Sequence, residues 1–390
     1  MRRRHVHGIA SVVAGSVVLL AVGVRAQDVT GPAGFRATAE IVQFDALFLD
    51  GEGRPVTDIR KEEVRVRQGG TPVPLRDLRF QPRPAAVAPP AASTAATASP
   101  PASSFKASTA QASAAVEVEP WIFLIDDLAM SPDAFDRMKV GLRMLFEQEL
   151  PAGVEVGLLR TGDLGNPKTR LTADRAALQR AVSEMRYKVN RWRGGVVSRS
   201  GAHGAGSGRG DRVFLEGTLG SLNSLVVNLR ALPRRKVIVL LSEYLTLRAN
   251  DPDVQPGAPG SPGGVLDDLR YNDVGGRLRR LGHVAAASGV TVHAVNVLGV
   301  VSINGGGRAE LNEGLHAVAD ELGGVYLRAS NDVQDLLARL MTVEQGYYML
   351  AYVPPDGTFD DRARTRFVPV SVSVSRPGVT VRTRQGFFTR

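Results

Sequence analysis

Trp121-Ile122-Phe123-Leu124-Ile125-Asp126-Asp127 is the stretch that decides how this chain is read. Five consecutive apolar residues leave no polar face. A strand made of them is buried on both sides, as in a parallel sheet covered by helices. The two aspartates then stand at the carboxyl end of that strand, where open parallel sheets bind their ligands. Ser131-Pro132 follows, with a hydroxyl suited to a helix N-cap and a proline suited to the first helical position. Phe135, Met138, Leu142, Leu145 and Phe146 then recur at helical spacing.

The same rhythm continues downstream. Val154 to Leu159 reads as a strand, and Thr172 as the cap of a helix carrying Leu178, Val182 and Met185. Thr218 to Leu232 reads as a helix with Leu222, Leu225, Val226 and Leu229 on one face. Val237–Leu241 is a second wholly apolar strand. A helix over Asp267 to Ala287, a strand over Val290 to Val297 and a helix over Glu310 to Leu322, closed by Gly323-Gly324, come next. A strand over Val325 to Leu327 and a helix over Asn331 to Met341 complete the series. Strands alternating with amphipathic helices predict an α/β, doubly wound, mostly parallel sheet. Two long segments interrupt it: Arg193 to Asp211, rich in Gly, Ser and Arg, and Ala249 to Gly264, rich in Pro and Gly. Loops of that length are usually functional or disordered.

Outward from this core the period changes. Thr38 to Leu49 is β-rich, Asp50-Gly51-Glu52-Gly53 is a turn cluster, and Val64 and Val66 alternate with Arg65 and Arg67. Gly69-Gly70 turns the chain into Val73 and Leu75, and the strands end near Phe80. At the other end, Tyr347 to Val353 reads as a strand and Pro354-Pro355-Asp356-Gly357 as a turn. Val368, Val370, Val372 and Val374 alternate strictly, and Pro377-Gly378 leads into Val379 and Val381. Neither flank has enough strands for a stable sheet by itself. Their pairing is expected to give a small β-sandwich from residues 27–80 and 343–390, with the α/β part, 120–342, inserted. Residues 81–119 change abruptly to Pro, Ala, Ser and Thr, the composition of a linker.

The N-terminus has the three parts of a secretory signal peptide over residues 1–26: Arg2-Arg3-Arg4, an uncharged run from Ile9 to Val24, and Val24-Arg25-Ala26 as cleavage site. An uncleaved anchor is the alternative. An exported protein is expected, in the periplasm, at the cell surface or in the medium, with no membrane span after cleavage. The 390 residues carry a formal charge of +9; without that segment, 44 basic face 39 acidic residues. The basic residues are scattered, with no run interleaved with aromatics, which argues against a nucleic-acid partner. There is no cysteine, so disulfides and thiolate sites are excluded.

The polar residues at strand ends are Asp126-Asp127, Arg160-Thr161-Gly162-Asp163, Ser242-Glu243 and Asn296. Clustered oxygen ligands of this kind suit Mg²⁺, Mn²⁺ or Ca²⁺. An apolar strand ending in Asp, a later Gly217-Thr218, and Lys236-Val-Ile-Val-Leu-Leu-Ser-Glu243 together resemble a von Willebrand factor type A (vWA) domain. The flanks "DGEGRPVTDIRKEEVRVRQGGTPVPLRDLRF" and "YYMLAYVPPDGTF…RFVPVSVSVSRPGVTVRTRQGFF" resemble an acidobacterial vWA-related family of exported proteins. The resemblance implies an adhesion-type metal site of the form Asp-x-Ser-x-Ser plus a Thr and an Asp. Counted from Asp126, this chain has Leu128 and Met130 at the hydroxyl positions. Counted from Asp127 it has Ala129 and Ser131, and Glu243 stands in place of the second Asp. The metal candidates are therefore Asp127, Ser131, Thr218 and Glu243, and the ligand rim is Asp126, Asp127, Ser131, Thr218 and Glu243. The same residues also read as plain structure: Ser131 and Thr218 as helix N-caps, and the aspartates as partners of helix N-termini.

No Gly-x-Ser-x-Gly, His-Glu-x-x-His, Walker A or Gly-x-Gly-x-x-Gly motif is present. His283, His293 and His316 fall in predicted helices or a strand and read as structural; His203 lies in a long loop, and His5 and His7 in the leader. Arg209-Gly210-Asp211 spells an integrin-type tripeptide, which chance explains in a Gly/Arg-rich loop. Tyr347, Tyr348 and Tyr352 read as cross-strand packing. The expected function is protein binding or adhesion without catalysis. A metal-independent envelope scaffold or assembly factor is the second reading, and a hydrolase with an unrecognised site the third.

Overall fold

The computed structural model describes residues 41–83, 119–150, 154–163, 170–188, 208–232, 235–247, 262–299, 309–328, 330–359 and 366–389. The signal segment, nearly all of the linker, His203 and most of both long loops lie outside the described residues. In chain order the strands are β1 (Val42–Leu49), β2 (Val64–Gln68), β3 (Thr71–Val73), β4 (Leu75–Pro82), β5 (Trp121–Ile125), β6 (Val156–Arg160), β7 (Lys236–Ser242), β8 (Val290–Asn296), β9 (Gly323–Leu327), β10 (Gly346–Tyr352), β11 (Phe367–Val374), β12 (Thr380–Thr383) and β13 (Gly386–Phe388). The helices are α1 (Pro132–Met144), α2 (Arg175–Glu184), α3 (Gly208–Leu229), α4 (Pro262–Ala287), α5 (Ala309–Glu321) and α6 (Val333–Val343).

β5 to β9 form one parallel sheet in the order β6-β5-β7-β8-β9. Every residue of β5, β7 and β8 is buried, which is what their unbroken apolar runs require. Alternate side chains serve opposite faces. Phe123, Ile125, Val239 and Leu241 pack with Phe135, Met138 and Leu142 of α1, Leu178 of α2 and Leu336, Leu337 and Leu340 of α6. Ile122, Leu124, Ile238 and Leu240 pack with Leu222 and Val226 of α3, Leu278 of α4 and Leu315 of α5. The order reverses direction between β5 and β7, which places a topological switch point between their carboxyl ends.

The flanking strands interleave into two antiparallel sheets, β12-β1-β10-β4 and β13-β11-β2-β3. β1 pairs with β10, Val42 opposite Tyr352, and β2 pairs with β11, Val66 opposite Val372. Each sheet therefore draws strands from both chain ends, and neither end builds one alone. Phe44, Phe48, Val64, Val66, Tyr348, Leu350, Val368 and Val370 fill the space between them. The buried phenols are satisfied: Tyr348 Oη accepts the Ile59 N–H at 2.9 Å, and Tyr352 donates to Gln68 Oε1 at 2.8 Å.

Sandwich and α/β part meet at the amino end of the parallel sheet, around a buried ionic network. Arg235, just before β7, grips Glu344, just before β10, through Nη1 at 2.7 Å and Nη2 at 2.9 Å. Glu119, just before β5, accepts from Arg235 at 3.1 Å and from Arg83, at the end of β4, at 2.6 Å. His293 of β8 completes the set. Its Nδ1 accepts the Val325 N–H at 3.1 Å, which leaves the proton on Nε2, facing Glu344 Oε1 at 2.8 Å. Arg83 lies over the Trp121 ring at 4.6 Å and Arg235 over Tyr347 at 4.5 Å. Burial by itself favours a neutral Glu344, but Arg235 and His293 outweigh it and hold the carboxyl well below the usual range. Burial likewise opposes the charge on Arg235, and Glu344, Glu119 and Asp45 outweigh it.

Several boundaries differ from the sequence reading. Asp174, not Thr172, caps α2, accepting from Ala177 N at 3.0 Å, because Thr172 is held in a β-bridge with Val156. Gly323 and Gly324 begin β9 rather than closing α5; a Cβ on Gly324 would meet the Val292 carbonyl oxygen at 2.0 Å. α3 starts at Gly208, so residues 209–211 have helical backbone, not a loop. α4 starts at Pro262, and β4 continues through Pro82, paired with Gly346.

Two outcomes are expected. Segment 84–118 leaves and returns at the single Arg83–Glu119 ion pair. Replacing it with about five Gly/Ser residues should keep one cooperative urea transition and raise stability by roughly 1.5–2 kcal/mol, the loop-closure entropy of an about sevenfold shorter loop. Glu344→Gln, which leaves buried Arg235 with only Glu119 and Asp45 as charge partners, should cost up to about 3–5 kcal/mol in the same assay. That gap should narrow only as acid protonates Glu344 in the wild type, since a depressed carboxylate loses its contribution as pH falls.

Candidate functional site

The switch point brings Asp126 and Asp127 after β5, Arg160 and Thr161 at the end of β6, and Ser242 and Glu243 at the end of β7 to one place. Thr218 reaches it from the middle of α3, so it is not an N-cap. Asp126 is wholly buried and surrounded by hydroxyls. Thr161 Oγ1 lies 3.0 Å from its Oδ1, and Thr218 Oγ1 and Ser242 Oγ each lie 2.9 Å from its Oδ2. Asp127 accepts Arg160 Nε at 2.9 Å and the Gly162 N–H at 2.8 Å, with Thr161 Oγ1 at 3.0 Å. Arg160 Nη2 stands 2.6 Å from Asp127 Oδ2, an ion-pair contact outside hydrogen-bond alignment. Glycine suits position 162: a Cβ there would meet both Asp127 carboxylate oxygens, at 3.1 and 3.2 Å.

A proton count explains the electrostatics. Thr161 has one hydroxyl hydrogen and two carboxylate oxygens at 3.0 Å. Ser242 has one hydrogen and two acceptors, Asp126 Oδ2 and the Tyr244 carbonyl at 3.0 Å. A proton on Asp126 Oδ1 resolves the first shortage: Asp126 donates to Thr161, and Thr161 donates to Asp127. Burial raises the Asp126 pKa to about 6, against the lowering effect of the three hydroxyls, so the acid carries this proton below about pH 6 and is mostly ionised above it.

Ser131 and Glu243 form a separate pair. The Ser131 hydroxyl accepts from Ala134 N at 3.2 Å and caps α1, while the Ser131 N–H donates to Glu243 Oε2. Glu243 is 2% exposed, so its charge serves the helix start from inside the protein. Where the resemblance implies hydroxyls, this chain is apolar. Met130 and Ala129 are fully buried, and Ala129 packs with Phe214 and Tyr244 beneath Leu128.

The four metal candidates are therefore committed to separate hydrogen-bond partners. Thr218 is turned to Asp126, Ser131 and Glu243 to each other, and Asp127 to Arg160. Among the described residues no three carboxylate or histidine side chains converge as cation ligands. Both Asp127 oxygens already face protein donors, and Arg160 supplies the positive charge. This donor set does not fit a divalent cation. All five rim residues meet at the predicted end of the sheet, but Asp126, Asp127, Thr218 and Glu243 are 5% exposed or less. They hold the loops in place rather than facing solvent; Asp163, on the next loop, keeps 48% of its side-chain exposure. Arg160, Thr161 and Ser242 were visible in the sequence as strand-end residues. Their contribution was not, because which strands are neighbours is a property of the sheet order.

No protein-family profile matches the chain, and no curated protein matches it. Among solved structures, an aerotolerance-related membrane protein from Bacteroides fragilis NCTC 9343, carrying multiple mutations to serine, is similar at 14% identity, covering 59% of this chain and 100% of that one, with a TM-score of 0.31. A likeness this weak transfers neither fold nor function, and the α/β architecture rests on the chain's own strand order and burial.

Asp126→Asn imitates the protonated acid, with its amide toward Thr161 and its carbonyl toward Thr218 and Ser242. A carboxyl whose pKa is raised on folding contributes stability that is full below about 4 and lost as pH rises through about 6. Between pH 5 and 7.5 the wild type should therefore lose roughly 1.4 kcal/mol relative to this variant in urea unfolding. Parallel pH dependences for the two proteins would show that Asp126 is ionised throughout.

Proposed function

We propose that this chain is an exported, non-enzymatic protein-binding module of vWA-like form, whose ligand face is the set of loops at the carboxyl end of the parallel sheet. The observation that supports the reading best is the closed web around Asp126 and Asp127. Two carboxyls, three hydroxyls and one guanidinium are spent on each other, at the place where doubly wound sheets bind ligands. Such a web gives a rigid, pre-organised loop surface, which lowers the ordering cost of binding a partner. Its hydroxyls lie against the Asp126 carboxyl but are buried with it, out of reach of a substrate at the surface. His293, the one histidine in the parallel sheet, is mid-strand and committed to Glu344 and the Val325 N–H.

In this reading the rim works without a cation, because Arg160 neutralises Asp127 from within. The buried residues act as posts, and contact falls to exposed neighbours such as Asp133 and Asp163. The leader-like residues 1–26 support export. The likeness of the flanks to the acidobacterial exported family supports the same location. Among the described residues no helix is long and apolar enough to cross a membrane.

The test is crosslinking in cells that make the protein, comparing wild type with an Asp133→Arg/Asp163→Arg double variant. Loss of a specific crosslinked partner, with an unchanged melt, is the expected result, and the complex should resist EDTA. A partner retained by the double variant moves binding to the sandwich, as in an envelope scaffold. A saturable rise in melting temperature with millimolar Mg²⁺, Mn²⁺ or Ca²⁺ would restore a cation to the rim.

A further inference from the structure

At the amino end of the parallel sheet, away from the rim, a cavity of about 180 Å³ lies between the sandwich and the α/β part. Its walls include Asp45 of β1, Arg235, Thr291 of β8, Gly323, Tyr347 of β10 and Arg384. The neighbouring charges Glu344, Glu119 and Arg83 are bound to one another. Asp45 and Arg384 are not so provided for.

The Asp45 carboxylate lies 3.6 Å from Arg235 Nε, an ion pair too long for a hydrogen bond, and Nε has no other acceptor. No hydrogen bond to the Asp45 side chain is found among the described residues. Arg384 donates through Nη2 to the Gln43 carbonyl, and among the described residues no carboxylate is in contact with its guanidinium. Burial raises the Asp45 pKa against the attraction of Arg235 and Arg384, and lowers that of Arg384 against the attraction of Asp45, so each charge is only partly compensated by the other. Asp45 nevertheless keeps 36% of its side-chain exposure, so the cavity can be reached from outside.

Among the described residues the wall thus presents a carboxylate held by ion pairing without a hydrogen bond, beside a guanidinium with one backbone acceptor and no carboxylate in contact. An ammonium carries three donors, and a carboxylate matches the geometry of a guanidinium. Gln43, which Arg384 holds, and Asp45 are two residues apart on β1, so the two charged groups border the same stretch of wall. A space of ~150 Å³ takes a molecule of about six heavy atoms, so this one suits a ligand of that order. We propose that the junction cavity binds a small free α-amino acid, its ammonium on Asp45 and its carboxylate on Arg384. The site is independent of the rim and of any partner bound there.

The experiment is calorimetric titration of the full chain with the small proteinogenic amino acids. Each is compared with the corresponding amine lacking the carboxylate and the acid lacking the amine. At least one amino acid should bind saturably and raise the melting temperature, while its two truncated analogues bind about tenfold more weakly or not at all. Asp45→Asn and Arg384→Gln should each weaken binding by a similar factor. Absence of saturable binding across the panel at millimolar concentration overturns the proposal. So does equal binding of the amine or the acid alone, which needs no variant to be read. Affinity unmoved by both substitutions overturns it as well, since the ligand would then lie elsewhere.

Discussion

The buried pair Arg235–Glu344 is the contact on which the rest of the structure depends. Both side chains are nearly inaccessible, at 6% and 1%, and each would be costly to bury alone. Together with Glu119, Arg83 and His293 they tie the starts of β5, β7 and β10, the middle of β8 and the end of β4 into one cluster. Such a cluster tolerates little sliding. Glu344 accepts from Arg235 through both oxygens, from Arg83 at 3.2 Å and from an imidazole, so it joins strands of the sandwich to strands of the parallel sheet.

The opposite end of the sheet solves the same problem with different groups. There, too, carboxylates are drawn inside, and each is matched by protein donors: three hydroxyls for Asp126, a guanidinium and a backbone amide for Asp127, a helix start for Glu243. The two ends differ in what they leave over. At the rim nothing charged in the web lacks a partner, which suits a surface that is shaped in advance. At the junction the network closes around Glu344, reaches Asp45 only through a 3.6 Å ion pair from Arg235, and reaches Arg384 only through the longer-range charge of Asp45. The incompleteness there is confined to a cavity, where an outside molecule can complete it.

Local pattern carried much of this. The apolar runs at Trp121–Ile125 and Val237–Leu241 announced buried parallel strands, and the alternation at Val368–Val374 announced a half-exposed one. These patterns follow from how many faces of a strand are covered, which is a local property. Helix starts were less legible. Thr172 and Asp174 are both good caps, and only the bridge to Val156 assigns the role to Asp174. The glycines at 323 and 324 read as a helix stop by composition, whereas the close approach of β8 puts them in a strand.

What the amino-acid sequence determined by itself was the alternation of elements, the paired flanks and the presence of acidic and hydroxyl residues at strand ends. Periodicity and turn chemistry are written along the chain, so neighbours in sequence suffice to read them. Only the tertiary structure decided that β6 lies beside β5, and hence that Arg160 faces Asp127 and Thr161 stands between the two aspartates. It also decided that Thr218 serves Asp126 from mid-helix, and that Arg83, Glu119, Arg235, His293 and Glu344 meet at all. Those five residues come from separate parts of the chain and show no common motif. Their association is produced by sheet order and by the cost of burying charge, neither of which a linear pattern records.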